Sequence, residues 1–258
     1  MRTYSDRPLL FGHRGARARC PENTLAALQA ALSDGAHALE LDVQVTADGV
    51  VVVMHDGDGL RMCGAAAAVR ATPYSTLRTW DAGYGFVAPD GTRPFAGQGL
   101  GVPRLDEVLA ALPGVPVNID LKPADPGCAA RVIDVVTALG ASERVLLTSF
   151  HDAVLQAVRA SRYDGRLGFA RRDVLALWSL PLWVLRRRRP RGHRVQLPVQ
   201  AGPLRFDGAG FIAKMHALDL AVDYWVINDR DQGARLLERG ADGLMSDVPG
   251  LLAPLFAS

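Results

Sequence analysis

Short apolar runs alternate along this chain with longer segments in which apolar residues recur every three or four positions. Short runs bounded by Gly, Pro or Asp are typical of strands in a buried parallel sheet, and the longer recurrence is typical of helices that cover such a sheet. The predicted strands are 8–12, 38–44, 115–121, 144–150, 166–170, 194–198, 221–227 and 242–247.

Helical patterns follow most of these strands, at 25–33, 105–112, 128–139, 153–159, 209–218, 232–239 and 251–256. Gly35, Gly140 and Gly240 stand just after three of the patterns and are predicted to end those helices. The alternation favours a parallel sheet, and its eight repeats favour an α/β fold of the closed (β/α)8 (TIM) barrel type, in one domain over 1–258. An open doubly wound sheet is the alternative, which the missing dinucleotide-binding glycine fingerprint disfavours.

Two segments interrupt the alternation. Behind the turn signal Asp48-Gly49, the apolar run 49–54 is interpreted as a hairpin arm or extension of the second strand, and 57–103 follows it. Because 57–103 is rich in Gly and Pro and too long for a plain loop, we expect a small inserted subdomain after the second strand. The other segment, 171–194, contains two tryptophans and a cluster of arginines.

Composition narrows the classes of function. Apolar residues make up 49% of the 258 residues, which is enough for a substantial core, and the formal net charge is only +2. We therefore expect no nucleic-acid partner. Of the 29 Lys and Arg residues only Lys122 and Lys214 are lysines, a bias typical of a GC-rich genome, so an average arginine carries little functional weight.

Cysteine usage and hydropathy bear on the compartment. The cysteines, Cys20, Cys63 and Cys128, are odd in number and scattered, which favours a reducing compartment over a disulfide framework. Residues 1–10 lack the apolar core of a signal peptide, and the most apolar window, 175–185, is too short to span a bilayer. We therefore expect a cytoplasmic protein and leave its oligomeric state open.

Polar residues cluster where the predicted strands end. Active sites of (β/α)8 barrels lie at the carboxyl ends of the strands, so these residues are candidates for chemistry. The candidates are His13, Arg14, Glu40, Asp42, His55, Asp120, Lys122, Gln196 and Trp225.

Three of these candidates are carboxylates with the spacing of metal ligands. Glu40 and Asp42 are two residues apart on one strand and face the same side, and Asp120 ends the next strand. Carboxylates crowded among Leu and Val would repel one another unless a cation lies between them. All-oxygen ligation favours one divalent ion, Mg²⁺ or Ca²⁺ and also Mn²⁺, over Zn²⁺. The alternative is that these acids pair with arginines at the barrel mouth.

The two histidines and two basic residues suit a phosphate ester. His13 and His55 each follow an apolar run, and across a substrate they could serve as general acid and general base. Arg14 offers a bidentate fork and Lys122 a point charge for an anion. No role is predicted for Asp56, because neighbouring strand residues point to opposite faces.

Two aromatic or basic features allow two interpretations each. Trp225 is either a core residue or one wall of a substrate pocket. The arginines of 186–194 form either a solvent-exposed face or, together with Trp178 and Trp183, a patch in 171–194 that touches anionic lipid.

Seven segments occur in the order and spacing of one known family: HRGARARCPENTLAAL, ALELDVQVTADGVVVVMHD, VPRLDEVL, VNIDLKP, LLTSF, WVIND and GADGLMSDVPGLL. They cover nearly the whole chain, which resembles the glycerophosphodiester phosphodiesterase family. The resemblance implies a (β/α)8 barrel with a small insertion after the second strand, where 57–103 falls.

The resemblance also implies roles for the candidates. They are His13 and His55 as the acid/base pair, Arg14 and Lys122 as phosphate ligands, Glu40, Asp42 and Asp120 as ligands of one divalent ion, and Gln196 and Trp225 at the substrate mouth. The chain departs from the family pattern in two places. Asp120 stands where the family usually has Glu, and Val226 where it usually has Thr.

The expected activity is metal-dependent hydrolysis of a glycerophosphodiester to sn-glycerol 3-phosphate and an alcohol. One alternative is a lysophospholipase D acting at a membrane surface, to which 171–194 would attach the protein peripherally. Another is a barrel that binds phosphate esters without turnover. The sequence leaves open the headgroup, the division of roles between the histidines, and whether water or the glycerol 2-hydroxyl attacks.

Overall fold

The computed structural model describes Tyr4 and residues 8–257, so the outermost residues of the domain predicted over 1–258 lie outside the described residues. In this part of the chain the strands are β1 (Leu9–His13), β2 (Ala38–Val45), β3 (Val51–Val53), β4 (Asp58–Gly59), β5 (Ala65–Ala68), β6 (Val117–Leu121), β7 (Val145–Thr148), β8 (Arg166–Leu167), β9 (Arg194–Leu197), β10 (Gln200–Ala201), β11 (Leu204–Arg205), β12 (Ala221–Tyr224) and β13 (Gly243–Ser246).

The α-helices within the same residues are α1 (Leu25–Ser33), α2 (Leu60–Cys63), α3 (Tyr74–Leu77), α4 (Leu105–Ala111), α5 (Gly127–Ala138), α6 (Asp152–Ala160), α7 (Arg171–Ser179), α8 (Leu182–Arg188), α9 (Ala209–His216), α10 (Arg230–Glu238) and α11 (Pro249–Leu252). Short 3₁₀ turns lie at Val69–Ala71, Ser142–Arg144 and Ala253–Phe256. The predicted helices all form, with bounds shifted by up to two residues except at the last, where an α-turn and a 3₁₀ turn share the segment.

Eight parallel strands form a nearly closed barrel, which confirms the predicted (β/α)8 fold. Their order around the barrel is β8-β7-β6-β2-β1-β13-β12-β9. The seam between β8 and β9 is bridged at His193, whose backbone N–H donates to the Leu167 carbonyl at 2.8 Å. The backbone N–H of Leu167 in turn donates to His193 Nδ1 at 3.0 Å, so a side chain replaces one bond of the ladder.

The strands form because both of their faces are covered. Every residue of β1 and β6 is buried, as expected for a parallel sheet wrapped by helices. Alternate residues of β1 face opposite sides. Leu9 and Phe11 pack inside the barrel with Met245, whereas Leu10 packs outward in a cluster with residues of the surrounding helices.

Residues 171–194 contain the helices α7 and α8, which the sequence pattern did not predict. They occupy the place of the helix that follows the fifth barrel strand, β8. Pro181 separates them and lacks an amide hydrogen to continue a helix, so the apolar periodicity is broken into two short pieces. This break explains why the segment looked like an interruption of the alternation.

The segment after the second barrel strand packs around its own small cluster. β3 pairs antiparallel with β2, and β4 pairs with β5 beyond it. Met54, Met62 and Leu77 are among the buried residues of this cluster. The division of the chain into a barrel and an inserted subdomain at 57–103 stays a prediction.

In the described part of the chain, no helix has the length and apolar character needed to cross a membrane.

Candidate active site

A cavity of about 760 Å³ opens at the carboxyl ends of the barrel strands. Its lining includes every site residue that the sequence analysis singled out: His13, Arg14, Glu40, Asp42, His55, Asp120, Lys122, Gln196 and Trp225. The structure therefore brings the nine candidates together, although their individual roles stay predictions.

Strand register explains why the carboxylates meet. Glu40 on β2 lies beside His13 on β1 and beside Asn118 on β6. Two residues further along, Asp42 lies beside Asp120. Since alternate residues share a face, the side chains form two rows above the barrel interior, and the second row contains two neighbouring carboxylates.

His13 is held by a carboxylate that ends the last barrel strand. Its Nδ1 lies 2.7 Å from Asp247 Oδ1, and Asn228 Nδ2 donates to Asp247 Oδ2 at 2.9 Å. Burial raises the pKa of Asp247, but the hydrogen bonds from His13 and Asn228 outweigh it and leave that pKa below its ordinary value. An ionised Asp247 accepts the Nδ1–H, so Nε2, which lies 3.9 Å from Glu40 Oε2, is the nitrogen left for chemistry.

His55 has the same arrangement with its neighbour. Its Nδ1 lies 2.7 Å from Asp56 Oδ1, and Arg61 Nε donates to Asp56 Oδ2 at 2.6 Å. Burial raises the pKa of Asp56, but hydrogen bonds from Arg61 and His55 lower it below the ordinary value. No role was predicted for Asp56 as the residue that orients His55, because residues 55 and 56 were interpreted as strand. β3 ends at Val53, and in the bend that follows, alternation no longer separates neighbouring side chains.

The predicted metal ligands are buried and contact two cations. The Arg14 backbone N–H donates to Glu40 Oε2 at 3.0 Å, and its guanidinium Nε lies 3.0 Å from Asp42 Oδ2. Lys122 Nζ lies 2.9 Å from Asp42 Oδ1 and 2.5 Å from Asp120 Oδ2. The barrel mouth thus contains the carboxylate–base pairs that the sequence analysis considered as the alternative to a metal site.

The three carboxylates of this cluster differ in the direction in which their pKa is shifted. Burial and the charge of Asp42 raise the pKa of Glu40 well above its usual value. Burial also raises the pKa of Asp120, against the effect of Lys122. For Asp42, burial is outweighed by Lys122 and Arg14, and its pKa is lowered. Burial lowers the pKa of Lys122, but Asp120 and Asp42 outweigh it and keep the ammonium charged.

Three buried oxygens in this cluster lack a hydrogen-bond partner within the described residues: Asn118 Oδ1, Asp42 Oδ1 and Asp120 Oδ1. Asp42 Oδ1 has Lys122 within ion-pair distance, but not in hydrogen-bonding geometry. Unsatisfied buried acceptors carry a free-energy cost, and a hard cation would satisfy them. Hence the chemistry of the donors fits a divalent ion.

The geometry of the carboxylates is not that of a preformed metal cage. Across Tyr4 and residues 8–257, no group of three or more His, Cys, Asp or Glu side chains has an arrangement that could hold a metal ion. The ammonium of Lys122 bridges Asp42 and Asp120. For all three carboxylates to bind one ion, Lys122 would have to break its contact with Asp42 or with Asp120.

Arg14 is oriented by Glu22, which is in turn held by Arg61. Its Nη1 donates to Glu22 Oε1 at 3.0 Å, and Arg61 donates to both oxygens of Glu22, at 2.6 and 3.0 Å. Burial raises the pKa of Glu22, but the hydrogen bond from Arg61 and the charge of Arg14 lower it to about 2. Asn23 Nδ2 donates to Asp42 Oδ2 at 2.9 Å. The position of Glu22 and Asn23 just after the His13-Arg14 motif was the available signal.

The opposite side of the cavity is apolar. Trp225 packs edge-on against Phe150, with ring centroids 6.0 Å apart, and also packs on the barrel interior. It lines the cavity, and a role as a wall of the substrate pocket stays a prediction. Gln196 donates its amide to Asp223 Oδ2 at 3.3 Å. The remaining apolar lining on this side is Phe169, Val174, Leu175, Leu197, Leu204 and Phe206.

The interpretation of 186–194 as a solvent-exposed arginine face is wrong for Arg194. Arg194 begins β9 and is 2% exposed. Its Nε donates to Asp223 Oδ2 at 2.7 Å, and its Nη2 donates to the Asp242 carbonyl at 3.0 Å. The arginines at 186–189 and 191 are exposed.

Comparison with known proteins gives consistent results. A family model described as the glycerophosphoryl diester phosphodiesterase family matches residues 13–251. A glycerophosphodiester phosphodiesterase of Bacillus altitudinis is 28% identical over 250 residues, covering 93% of this chain and 94% of its own.

Solved structures resemble the fold along the whole chain. A glycerophosphodiester phosphodiesterase from Agrobacterium tumefaciens matches with a TM-score of 0.78 and 28% identity, over 97% of this chain and 99% of its own. An Oleispira antarctica phosphodiesterase, solved in complex with the product sn-glycerol-3-phosphate, matches with a TM-score of 0.79 and 23% identity over 99% of each chain. At that identity the second likeness concerns the fold alone.

Proposed function

Because the chain belongs to the glycerophosphoryl diester phosphodiesterase family, whose members are phosphoric diester hydrolases, we propose a specific reaction for it. It hydrolyses a glycerophosphodiester to sn-glycerol 3-phosphate and an alcohol, by two-histidine acid/base catalysis assisted by one divalent cation. The observation that carries the proposal is the pair of His–Asp contacts on one cavity, His13 with Asp247 and His55 with Asp56, each at 2.7 Å.

The histidines perform the proton transfers. With Nδ1 bound to a carboxylate, each imidazole keeps the tautomer and orientation that leave Nε2 for the substrate. One histidine takes the proton of the nucleophile, and the other gives a proton to the leaving oxygen. Asp247 and Asp56 stabilise the imidazolium that forms on their partner.

Two basic side chains are suited to bind the phosphoryl group. Lys122 has three N–H donors, of which one donates to Asp120 Oδ2, so the ammonium keeps donor capacity for a phosphoryl oxygen. Arg14 directs Nε toward Asp42 and Nη1 toward Glu22, which leaves Nη2 for the same purpose. Gln196 and Trp225, which line the same cavity, would contact the rest of the substrate.

Glu40, Asp42 and Asp120 would hold the divalent ion. Such an ion supplies charge stabilisation to the phosphoryl oxygens and lowers the pKa of a coordinated hydroxyl or water. All-oxygen donors favour Mg²⁺, Ca²⁺ or Mn²⁺. With Asp120 in place of the family's usual Glu, this chain has a shorter third ligand.

The test is hydrolysis of glycerophosphocholine and glycerophosphoethanolamine after EDTA treatment, with Mg²⁺, Ca²⁺ or Mn²⁺ added back separately. We expect turnover to disappear with EDTA and to return with at least one ion. Absence of turnover with every ion and both substrates would overturn the proposed reaction. Full turnover in EDTA would remove the cation from it.

A second candidate, lysophospholipase D activity, is favoured by the apolar side of the cavity. Phe169, Leu197 and Leu204 offer an acyl chain contacts that a free glycerophosphodiester does not need. We expect Leu204→Gln to lower hydrolysis of lysophosphatidylcholine while leaving that of glycerophosphocholine unchanged. Equal effects on the two substrates would count against the lipid substrate.

A further inference from the structure

Helices α7 and α8 and the residues directly after α8 present an unusual combination of exposed side chains. We name these residues the arginine–tryptophan face; they are Leu175, Trp178, Trp183, Arg186, Arg187, Arg188, Arg189 and Arg191. We propose that the arginine–tryptophan face docks the protein on lipid bilayers that contain anionic phospholipids.

The apolar part of the face is exposed to solvent, although Trp178 also contacts the buried Phe206 ring with centroids 6.4 Å apart. Trp183 is 62% exposed, Leu175 46% and Trp178 39%. Leu175 and Trp178 are three residues apart on α7 and therefore lie on one side of it, whereas Leu177 is buried toward the barrel. Tryptophan has an apolar ring and one polar N–H, which suits the boundary between lipid tails and headgroups.

The basic part of the face has no acidic counterpart nearby. From residue 174 to residue 206 the sequence contains neither Asp nor Glu. Within the described residues, no carboxylate forms an ion pair with an arginine of the face. Arg187 instead lies over the Trp183 ring, 5.5 Å from its centroid. The charges are thus available to phosphate groups, and they adjoin the apolar side chains as in helices that bind membrane surfaces.

The position of the face relates it to the cavity. Arg171, Val174 and Leu175 on α7 line the cavity that contains the candidate site residues, and Leu175 also belongs to the face. A bilayer on this face would therefore meet the apolar side of the cavity mouth. Docking on a bilayer does not depend on catalysis. Access of the cavity to substrates in the lipid is a consequence of docking that rests on the proposed function.

A bilayer fits the face better than a nucleic acid does. Nucleic acids also attract arginines, and single strands stack on aromatic rings. Leu175 and the apolar cavity wall beside it offer nothing to a phosphate backbone, whereas lipid tails accept apolar side chains at no cost.

The experiment is co-sedimentation of the full chain with phosphatidylcholine vesicles, prepared with and without phosphatidylglycerol. We expect the protein to pellet with the anionic vesicles only, and to be released by salt because the attraction is screened. Pelleting with neither vesicle, or with both alike, would overturn the proposal.

Charge variants test the arginines. Arg187→Gln with Arg188→Gln should weaken binding to anionic vesicles by about tenfold or more, since each basic residue near such a surface contributes severalfold. The matched control is Arg162→Gln with Arg235→Gln, which changes the net charge equally at exposed arginines outside the face. Equal weakening by the two double variants would mean that only net charge matters and would overturn the assignment to this face.

An apolar variant tests the tryptophan. Trp183→Ala should weaken vesicle binding by about tenfold, because the variant loses the apolar contact of the ring with the lipid. The core should not be disturbed, since this ring is largely exposed. Leu139→Ala, at an exposed apolar residue after α5, is the control and should bind as the wild type does. Unchanged binding by Trp183→Ala would overturn the apolar half of the proposal.

Two further measurements separate the remaining explanations. Binding to single-stranded RNA without binding to vesicles would assign the face to nucleic acid, and self-association abolished by Trp183→Ala would assign it to a second copy; both overturn the proposal. Glycerophosphocholine hydrolysis without vesicles is assayed in parallel. Vesicle binding without hydrolysis would support the docking face and overturn the proposed reaction. Hydrolysis without vesicle binding would overturn the docking face and support the proposed reaction.

Discussion

Two groups of buried charged residues lie in this barrel, and they differ in how completely their polar atoms are paired. In the barrel interior, Arg194 forms a two-pronged contact with Asp223, which accepts from Nε at 2.7 Å and from Nη2. The Asp242 carbonyl also accepts from Arg194, and Gln196 donates to Asp223. At the mouth, Asp42 and Asp120 each keep one buried oxygen without a hydrogen-bond partner within the described residues.

The difference distinguishes a structural role for the interior pair from a ligand-binding role for the mouth cluster. A buried ion pair with its hydrogen bonds made can hold strands together, and neither partner is available to a ligand. Unpaired buried acceptors destabilise the fold unless something else binds them. The mouth cluster therefore has the arrangement expected of a site that is completed by its ligands, and the interior pair that of a structural element.

The largest expected effect is catalytic. His13→Ala and His55→Ala should each lower kcat by about 10²–10⁴-fold, because each removes a general acid or base. The free energy of unfolding should fall by only about 1–2 kcal/mol, the contribution of one lost hydrogen bond to a charged group. Initial rates on glycerophosphocholine and urea unfolding curves measure the two quantities.

The matched control is His151→Ala, at an exposed histidine near the end of β7 that does not line the cavity. It should retain both activity and stability. Near-normal activity of either His13→Ala or His55→Ala would remove that histidine from the acid/base pair.

The next effect is on stability and concerns the interior pair. Arg194→Met leaves Asp223 buried without its partner and should lower the free energy of unfolding by about 3–5 kcal/mol. Replacing both residues, as Arg194→Met with Asp223→Leu, should restore much of that loss, since an apolar pair of similar volume can substitute for a buried ion pair. Urea unfolding measures both, with Arg162→Met as the exposed control. If the free energy of unfolding of Arg194→Met lies within about 1 kcal/mol of the wild-type value, the structural role of the Arg194–Asp223 pair is contradicted.

Much of the mouth cluster could be predicted from the sequence because strand periodicity determines it. Glu40 and Asp42 face one side of β2 by their spacing alone, and Asp120 joins them because β6 is the neighbouring strand. Eight of the nine candidates line one cavity for the same reason, because parallel strands end at the same edge of the barrel. His55 reaches the cavity from the bend after β3.

The contacts that the sequence did not reveal depend on chain bends and strand pairing that periodicity alone does not determine. Asp56 reaches His55 because the chain bends after β3. Asp247 reaches His13 from the far end of the sequence, through the pairing of β1 with β13. Arg194 was grouped with the exposed arginines before it, although a strand was predicted from residue 194, because the sequence does not show that its guanidinium is buried against Asp223.

A smaller effect concerns the divalent ion at the mouth cluster. An ion at about 100 times its Kd should stabilise the wild type by about 2.7 kcal/mol relative to EDTA, because it binds only the folded chain. Asp120→Asn should abolish most of that stabilisation, whereas Asp231→Asn, at an exposed residue on α10, should not. Thermal unfolding with and without the ion measures the difference. Equal stabilisation of wild type and Asp120→Asn would exclude Asp120 as a ligand.

The smallest effect tests a carboxylate at the mouth that is fully paired. Burial is outweighed at Glu22 by the hydrogen bond from Arg61 and the charge of Arg14, so its folded pKa is about 2 against an ordinary value of 4.5. A lowered folded pKa means that the unfolded chain binds the proton first as acid is added. The stabilisation is therefore complete above about pH 4.5 and is lost as the pH falls toward about 2. Because Arg61 is half exposed, we expect about 1–2 kcal/mol rather than the full shift.

Urea unfolding at about pH 6 and about pH 3 measures this contribution. The wild type should lose more stability between the two than Glu22→Gln does, and Glu238→Gln, at an exposed residue of α10, should lose as much as the wild type. Equal losses in wild type and Glu22→Gln would mean that the contacts of Glu22 with Arg14 and Arg61 add nothing to the fold. Arg14 would then be held at the mouth by Asp42, a member of the unpaired cluster, and the contrast between paired and unpaired charges would not extend to Glu22.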